Sequence, residues 1–197
     1  MPRAVRKSAA KKAAAKRTTA KTPTKQGARR VVYGVAMSLD GYIAGPKGEY
    51  DWIVMDPDID FKAMFARFDT FLMGRNTFRL VEQGGPSHPG ARTIVFSHTL
   101  QPAKYPKYTI VSENAGEFVR ELKTQPGKDI WLFGGGELFR HLLDAGVVDE
   151  VSVAVIPVVI GGGVPFLPAP ARRSKLRLTD HHVYPKSGTV RLTYDVL

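Results

Sequence analysis

Hydrophobic positions along this chain fall into two kinds of run that take turns. Short β-branched and aromatic stretches alternate with segments whose apolar residues recur at helical spacing, and glycine or proline separates many of them. "VVYGVAM" (Val31 to Met37) predicts a strand that enters a long polar loop, "SLDGYIAGPKGEYDW". "DFKAMFARF" sets Phe61, Met64, Phe65 and Phe68 on one helical face. "TFLMG" predicts a strand, and "RNTFRLVEQ" after it a helix stopped by Gly84 and Gly85. "TIVFS" and "YTIVS" predict strands, "NAGEFVRELKT" a helix, "DIWLF" a strand and "ELFRHLLDAG" a helix that ends at Gly146. "EVSVAVIPVVI" predicts a buried strand, and "LRLTDHHVYP" with "TVRLTYDVL" a long hairpin around Lys186-Ser187-Gly188.

Strands separated by helices of about ten residues predict an α/β fold in three layers, its central sheet mostly parallel and covered by helices on both faces. The last hairpin adds an antiparallel edge. There are no internal repeats, so one domain is expected over residues 30–197.

Where the charge lies changes what it means. The net charge of +11 would by itself suggest a nucleic-acid partner. Of the 29 Lys and Arg, however, 11 lie in residues 1–30, leaving 18 against the chain's 18 Asp and Glu. The folded part is neutral. Residues 1–29 are rich in Ala, Lys and Thr and hold no aromatic residue, so they are expected to be a disordered tail, with "SAAKKAAAKR" transiently helical. Two roles stay open for residues 1–30: non-specific contact with nucleic-acid phosphates by counterion release, or a solubilising extension. The tail lacks the apolar face of a transit peptide and the apolar core of a secretory signal. No apolar run approaches the roughly 18 residues that span a bilayer. The chain has no cysteine, which excludes disulfides, thiolate metal sites and cysteine nucleophiles. These features fit a cytoplasmic protein with no membrane contact, the tail adding nucleoid association as an alternative.

The candidate chemistry gathers at strand ends. Gly134, Gly135 and Gly136 join a predicted strand to a predicted helix, and free amides at a helix start make an anion site that glycine lets a phosphate approach. A tight turn without a ligand explains three glycines equally well. The spacing is neither G-x-G-x-x-G nor a P-loop. "FLMGRNTF" is a second such junction: Arg75 can fork onto a phosphate, and Asn76 and Thr77 add donors. "TIVFSHT" is a third strand end, with hydroxyls. Three such ends describe a dinucleotide laid across the carboxyl edge of a sheet. The pair His181-His182 alternates faces and lacks partners for a metal, so no metal site is expected.

In order, "VAMSLDGYIA", "MGRNTF", "TIVFS", "WLFGGGELF" and "VIPVVIGGGVPFLP" make the chain resemble the dihydrofolate-reductase-like superfamily over nearly all of residues 31–197. It is most similar to the reductase domain of the bifunctional riboflavin-biosynthesis deaminase–reductase, a 5-amino-6-(5-phosphoribosylamino)uracil reductase. The resemblance implies an NADPH-dependent reductase of a small heterocyclic or carbonyl-type substrate, commonly a homodimer. It implies that Ala36 and Ile43 flank the nicotinamide, with Asp40-Gly41 shaping the loop over it. Gly74, Arg75, Asn76 and Thr77 would hold the adenosine-side phosphates, and Ser97 and His98 the adenine ribose. Gly134, Gly135, Gly136, Glu137 and Leu138 would bind the pyrophosphate, with Phe139 beside the nicotinamide and a cis peptide between two of the glycines.

The chain departs from the family at three places. His98 stands where the branch often has Arg or Lys, so NADH is an alternative to NADPH unless Arg75 or Lys104 compensates; a deazaflavin is a further alternative. Ala154 stands where a folate reductase has a threonine that fixes the pterin. The deaminase signature is absent. A dihydrofolate-reductase-type enzyme, or a nucleic-acid-associated protein with a reductase-like scaffold, are the alternative functions.

A catalytic acid is the least specified part. Asp51, Asp56, Asp58 and Asp60 crowd one loop, and counted without gaps from "MGR", Asp58 falls where folate reductases keep a buried acid. Asp58 or Asp60 would equally cap the following helix, and four neighbouring carboxylates favour the cap. Trp52 and Phe61 are expected to wall the substrate pocket. Val183, Tyr184 and Val190 in the hairpin are the apolar residues a dimer would cover.

Overall fold

The apolar runs become a single twisted sheet. The structure, a computed structural model, describes residues 28–84 and 90–197. The expectations for residues 1–27, and Gly85 as a helix stop, lie outside the described residues. The elements are β1 (Val31–Ser38), β2 (Tyr42–Ala44), α1 (Phe61–Phe65), β3 (Phe68–Gly74), α2 (Arg75–Glu82), β4 (Arg92–Phe96), β5 (Thr109–Val111), α3 (Ala115–Thr124), β6 (Asp129–Gly134), α4 (Gly136–Asp144), β7 (Glu150–Ile156), β8 (Val164–Pro165), β9 (Leu176–Tyr184) and β10 (Thr189–Val196).

The sheet order is β5-β4-β3-β6-β1-β7-β10-β9. The first six strands run parallel, β10 lies antiparallel to β7, and β9 pairs antiparallel with β10. Alternation along β1 divides the core. Val31 and Tyr33 face α3 and α4 with Val119, Leu122, Phe139 and Leu142. Val32 faces the other way, with Phe71, Trp131 and Phe78 of α2, and Met64 and Phe65 of α1 beside them. Helices therefore cover both faces, as an all-parallel core requires.

Three segments differ from the sequence pattern. The helix expected over Asp60 to Phe68 is only Phe61–Phe65, because Phe68 is drawn into β3 opposite Asp129. Strand pairing and a buried ring outweigh helical spacing there. The strand expected through Ile160 ends at Ile156, before Pro157, which has no N–H to donate. Tyr42–Ala44, expected in a loop, forms a two-stranded ribbon with β8. Of the hairpin's apolar residues, Val183 is exposed but Tyr184 is buried. No helix among the described residues is long and apolar enough to cross a membrane, and no group of His, Asp and Glu among them could hold a metal.

The folded part begins one residue before the expected boundary. Arg29 is 7% exposed. Its Nε donates to the Lys128 carbonyl at 2.5 Å, its Nη2 to Thr70 Oγ1 at 2.6 Å, and the same nitrogen pairs with Asp69. Removing residues 1–27 should leave the melting temperature unchanged, whereas removing residues 1–29 should lower it by roughly 4–8 °C, through the lost charge-assisted hydrogen bonds. Equal melting temperatures for the two truncations, read by calorimetry, would show that Arg29 holds nothing.

Candidate active site

The sheet has a place where its connections part. β3 leads through α2 outward to β4, while its neighbour β6 leads through α4 the other way, past β1 to β7. α2 packs on one face and α4 on the other. At the shared carboxyl edge between such strands a crevice opens, and both helix starts look into it. Here it is the mouth of a cleft of about 1560 Å³, larger than the roughly 300–1,000 Å³ of a drug-sized pocket.

The crevice floor is bare backbone. A Cβ built on Gly74 would lie 3.8 Å from the Gly135 nitrogen, so the two junctions nearly touch. Gly134 sits at φ 144°, a region only glycine occupies readily, and is joined to Gly135 by a cis peptide. Cβ atoms on Gly134 and Gly135 would come 3.4 and 3.6 Å from Thr77 Oγ1, filling the gap between the helix starts. Gly136 has a different reason: its Cβ would meet the Pro165 carbonyl at 2.5 Å. Two glycines keep an anion cradle open, and the third lets α4 pack against the chain beside β8.

Most of the expected cofactor residues share this cleft. Ala36, Ile43, Gly74, Arg75, Asn76, Thr77, Ser97, His98 and Gly134 to Leu138, Glu137 included, all line it. Arg75 Nη1 donates to Thr99 Oγ1 at 2.8 Å, which holds the guanidinium beside the end of β4. Arg79, one turn on, lines the cleft as well, while Lys104 does not. Ser97 Oγ accepts from the Thr99 and Leu100 amides at 3.2 Å each, so this hydroxyl shapes the turn besides facing the cleft.

Other expected residues lie elsewhere. Phe139 is a core residue, 2% exposed, with its ring 3.9 Å from that of Tyr33. Its place on α4 turns it into the layer between helix and sheet, so it does not stand beside the crevice. Asp40 and Gly41 are also off the cleft. Asp40 accepts from the amides of Ile160 and Gly161 at 3.2 and 2.7 Å, and the Gly41 carbonyl accepts from Phe166 at 2.9 Å. The Ser38 hydroxyl, with those two amides, holds the Asp40 carboxyl below the usual carboxylate range. This pair fastens the β1–β2 turn to the chain after β7. Phe61 lines the cleft, but Trp52 does not, and its indole donates to the Glu49 carbonyl at 3.2 Å.

The loop carboxylates separate by environment. Asp60 caps α1, accepting from the Ala63 amide at 2.9 Å. Asp58 is half exposed and pairs with Lys186 at 2.7 Å, so it is neither the cap nor a shielded acid. Asp56 is the buried one, at 1% exposure, and accepts from the amides of Asp58 and Ser187 at 2.9 and 2.8 Å. Burial pushes its pKa up, but the hydrogen bonds from Asp58 and Ser187 and the charge of Lys186 outweigh that and hold it low.

Beyond the crevice the cleft continues over one face of β1, β7 and β10. Trp131 lines it, its Nε1 donating to the Gly34 carbonyl at 3.0 Å, and so do Ser152, Tyr184, Thr189 and Arg191. Sequence reasoning missed these residues. Strand alternation marks their shared face, but only the pairing register brings Gly34 beside Ser152, and Ala36, Ala154 and Arg191 into one row.

Comparison with known proteins agrees with this geometry. The family described as RibD C-terminal domain matches residues 29–190. The uncharacterized protein YyaP of Bacillus subtilis (strain 168) is 35% identical over 179 residues, 84% of this chain and 94% of YyaP. A crystal structure of a Shewanella sp. PV-4 protein assigned by name to riboflavin biosynthesis is 26% identical, with a TM-score of 0.72 over 86% of this chain and 99% of that one. Dihydrofolate reductase from Enterococcus faecalis, solved with NADP(H), is 19% identical with a TM-score of 0.63, over 85% of this chain and 96% of that one. The last likeness is one of fold, and the fold is dihydrofolate-reductase-like.

Proposed function

Because the chain belongs to the RibD C-terminal domain family, we propose that it is a nicotinamide-dependent reductase of a small heterocyclic or carbonyl-type substrate, with NADPH as its cofactor. The observation that carries this reading is the pair of helix starts at β3 and β6, with no side chain on Gly74, Gly134 or Gly135 to stand between them. In this reading those amides and Thr77 hold the pyrophosphate. Arg75 holds the phosphate of the adenosine side, with Ser97 and His98 at the ribose. Ala36 and Ile43 flank the nicotinamide ring. When bound, the reduced nicotinamide supplies hydride; the protein binds, orients and keeps water away.

The proton then comes from water or the substrate. Among the described residues no buried carboxylate lines the cleft: Asp56 lies outside the lining with both oxygens engaged, and Glu150 lies outside it, paired with Arg30 and Arg67. The same fact, with Ala154 on the floor, argues against a pterin substrate, which needs a buried acid to hold it. A purely nucleic-acid-binding role has no support in the folded part, where 20 Lys and Arg, Arg29 and Arg30 included, nearly balance 18 Asp and Glu.

Arg75 decides between the two nicotinamide cofactors. A guanidinium fork on a 2′-phosphate should make the full chain prefer NADPH over NADH by roughly tenfold, and Arg75→Ala should erase the preference by weakening NADPH alone. Calorimetric titration reads both. Failure of both nucleotides to bind at millimolar concentration would sink the reductase reading.

A further inference from the structure

We infer that the substrate end of the cleft takes a flat aromatic molecule bearing one carboxylate, and that Arg191 is the residue that holds this carboxylate. The inference deepens the reductase reading and rests on it. The floor comes first. Gly34 and Ala36 on β1 stand beside Ser152 and Ala154 on β7, register partner to register partner. None of the four side chains is longer than a hydroxymethyl, and all four line the cleft. A surface this level suits a planar ring. The Trp131 indole lies over Gly34, where a Cβ would come within 2.6 Å of it, so it bounds an open floor made by Ala36, Ser152 and Ala154, and Phe61 of α1 faces the cleft as well.

The cation comes next. Ala36, Ala154 and Arg191 form one row across β1, β7 and β10. Neighbouring strands lie about 4.8 Å apart, so the Arg191 backbone is roughly 10 Å from Ala36, about two fused rings away. Its guanidinium is under-used. Nη2 donates to Asp180 at 3.1 Å, and that partner is 59% exposed. Nε is buried without an acceptor, and among the described residues Nη1 has none either. An arginine with an open Nη1 at the edge of such a floor, its Nη2 shared only with an exposed carboxylate, can receive a planar oxyanion.

Charge and polarity favour a carboxylate over a sugar phosphate. Asp180 offsets part of the one positive charge, which disfavours a dianion. Lys186, the nearby hairpin cation, is already paired with Asp58. Hydroxyl partners for a sugar are few. Thr189 Oγ1 accepts from the Ser187 hydroxyl at 2.9 Å, and Ser152 Oγ lies 3.4 Å from Thr193 Oγ1.

The test uses the full chain with three probes of one ring system, 2-naphthoate, 2-naphthamide and 2-naphthyl phosphate, titrated by calorimetry with and without NADPH. Naphthoate should bind roughly tenfold or more tighter than the amide, and the phosphate no tighter than naphthoate. Arg191→Gln should abolish the carboxylate preference and Arg191→Lys retain part of it, while the NADPH-induced melting shift is unchanged in both. Asp180→Asn, which frees the guanidinium without removing it, should tighten naphthoate and serves if the arginine variants fold poorly. Equal binding of acid and amide, a preference that survives Arg191→Gln, no tightening in Asp180→Asn, or tighter binding of the phosphate would each overturn the assignment. Absence of NADPH binding would instead sink the reductase reading, and the naphthoate comparison would still judge Arg191.

Discussion

NADPH at about a hundred times its dissociation constant should raise the melting temperature of the full chain by roughly 5–10 °C, the expected result of mass action on the folded state in a domain of this size. Gly135→Ala should remove most of that shift. The added methyl would lie 3.6 Å from Thr77 Oγ1, an ordinary contact, at a φ of −91° that any residue adopts. It therefore leaves folding nearly untouched and puts an apolar group between the two helix starts, where a pyrophosphate must approach the amides. Gly136→Ala makes the contrast. Its methyl would strike the Pro165 carbonyl at 2.5 Å, so that variant should melt lower even without ligand. Scanning calorimetry of the three proteins with and without nucleotide separates the effects. A full NADPH shift in Gly135→Ala would show that the cradle does not hold the cofactor.

The contrast between these glycines also shows how far the sequence could be read. Three glycines between an apolar run and an amphipathic one mark a strand-to-helix junction, and the α/β class follows from the regular alternation of such runs. Both are local signals, and both are present in the structure. What the sequence could not separate is a glycine that opens a cradle from one that permits packing, because Pro165 meets Gly136 only after the chain has folded back from β7. Phe139 failed for the same reason: helical periodicity gives its face, but not whether that face meets the crevice or Tyr33. Arg29 looked like one more tail cation until Asp69 and Thr70, some forty residues on, came to meet it. The substrate floor is the extreme case. Gly34, Ser152 and Arg191 lie on three strands far apart in sequence, and only their register places them together.

The second large effect belongs to Asp56, the one loop carboxylate that is buried. It joins the segment before α1 to the β9–β10 turn by accepting from Asp58 and Ser187. Both segments wall the substrate end, where Ile59 and Thr189 line the cleft. Asp56→Ala would leave those two amides without their acceptor and should lower the melting temperature by roughly 5–10 °C. It should also loosen the substrate end while sparing nucleotide binding. The pH dependence has a definite sign. The folded-state pKa of Asp56 is held below its ordinary value, so its contribution is fully present above the unfolded value of about 3.9 and is lost as pH falls through the lower folded value. The melting difference between wild type and Asp56→Ala should be constant from pH 5 to pH 7, by that unfolded pKa, and should shrink below about pH 4. Asp58→Asn is the control. That carboxylate forms an exposed pair with Lys186, and such pairs contribute little, so melting should move by no more than about 2 °C. If Asp58 were the proton donor instead, turnover in an NADPH-oxidation assay should drop by roughly a hundredfold or more at unchanged stability. With its side chain half in solvent and its charge already matched by Lys186, the expected change is under about threefold, against the size of a general-acid effect.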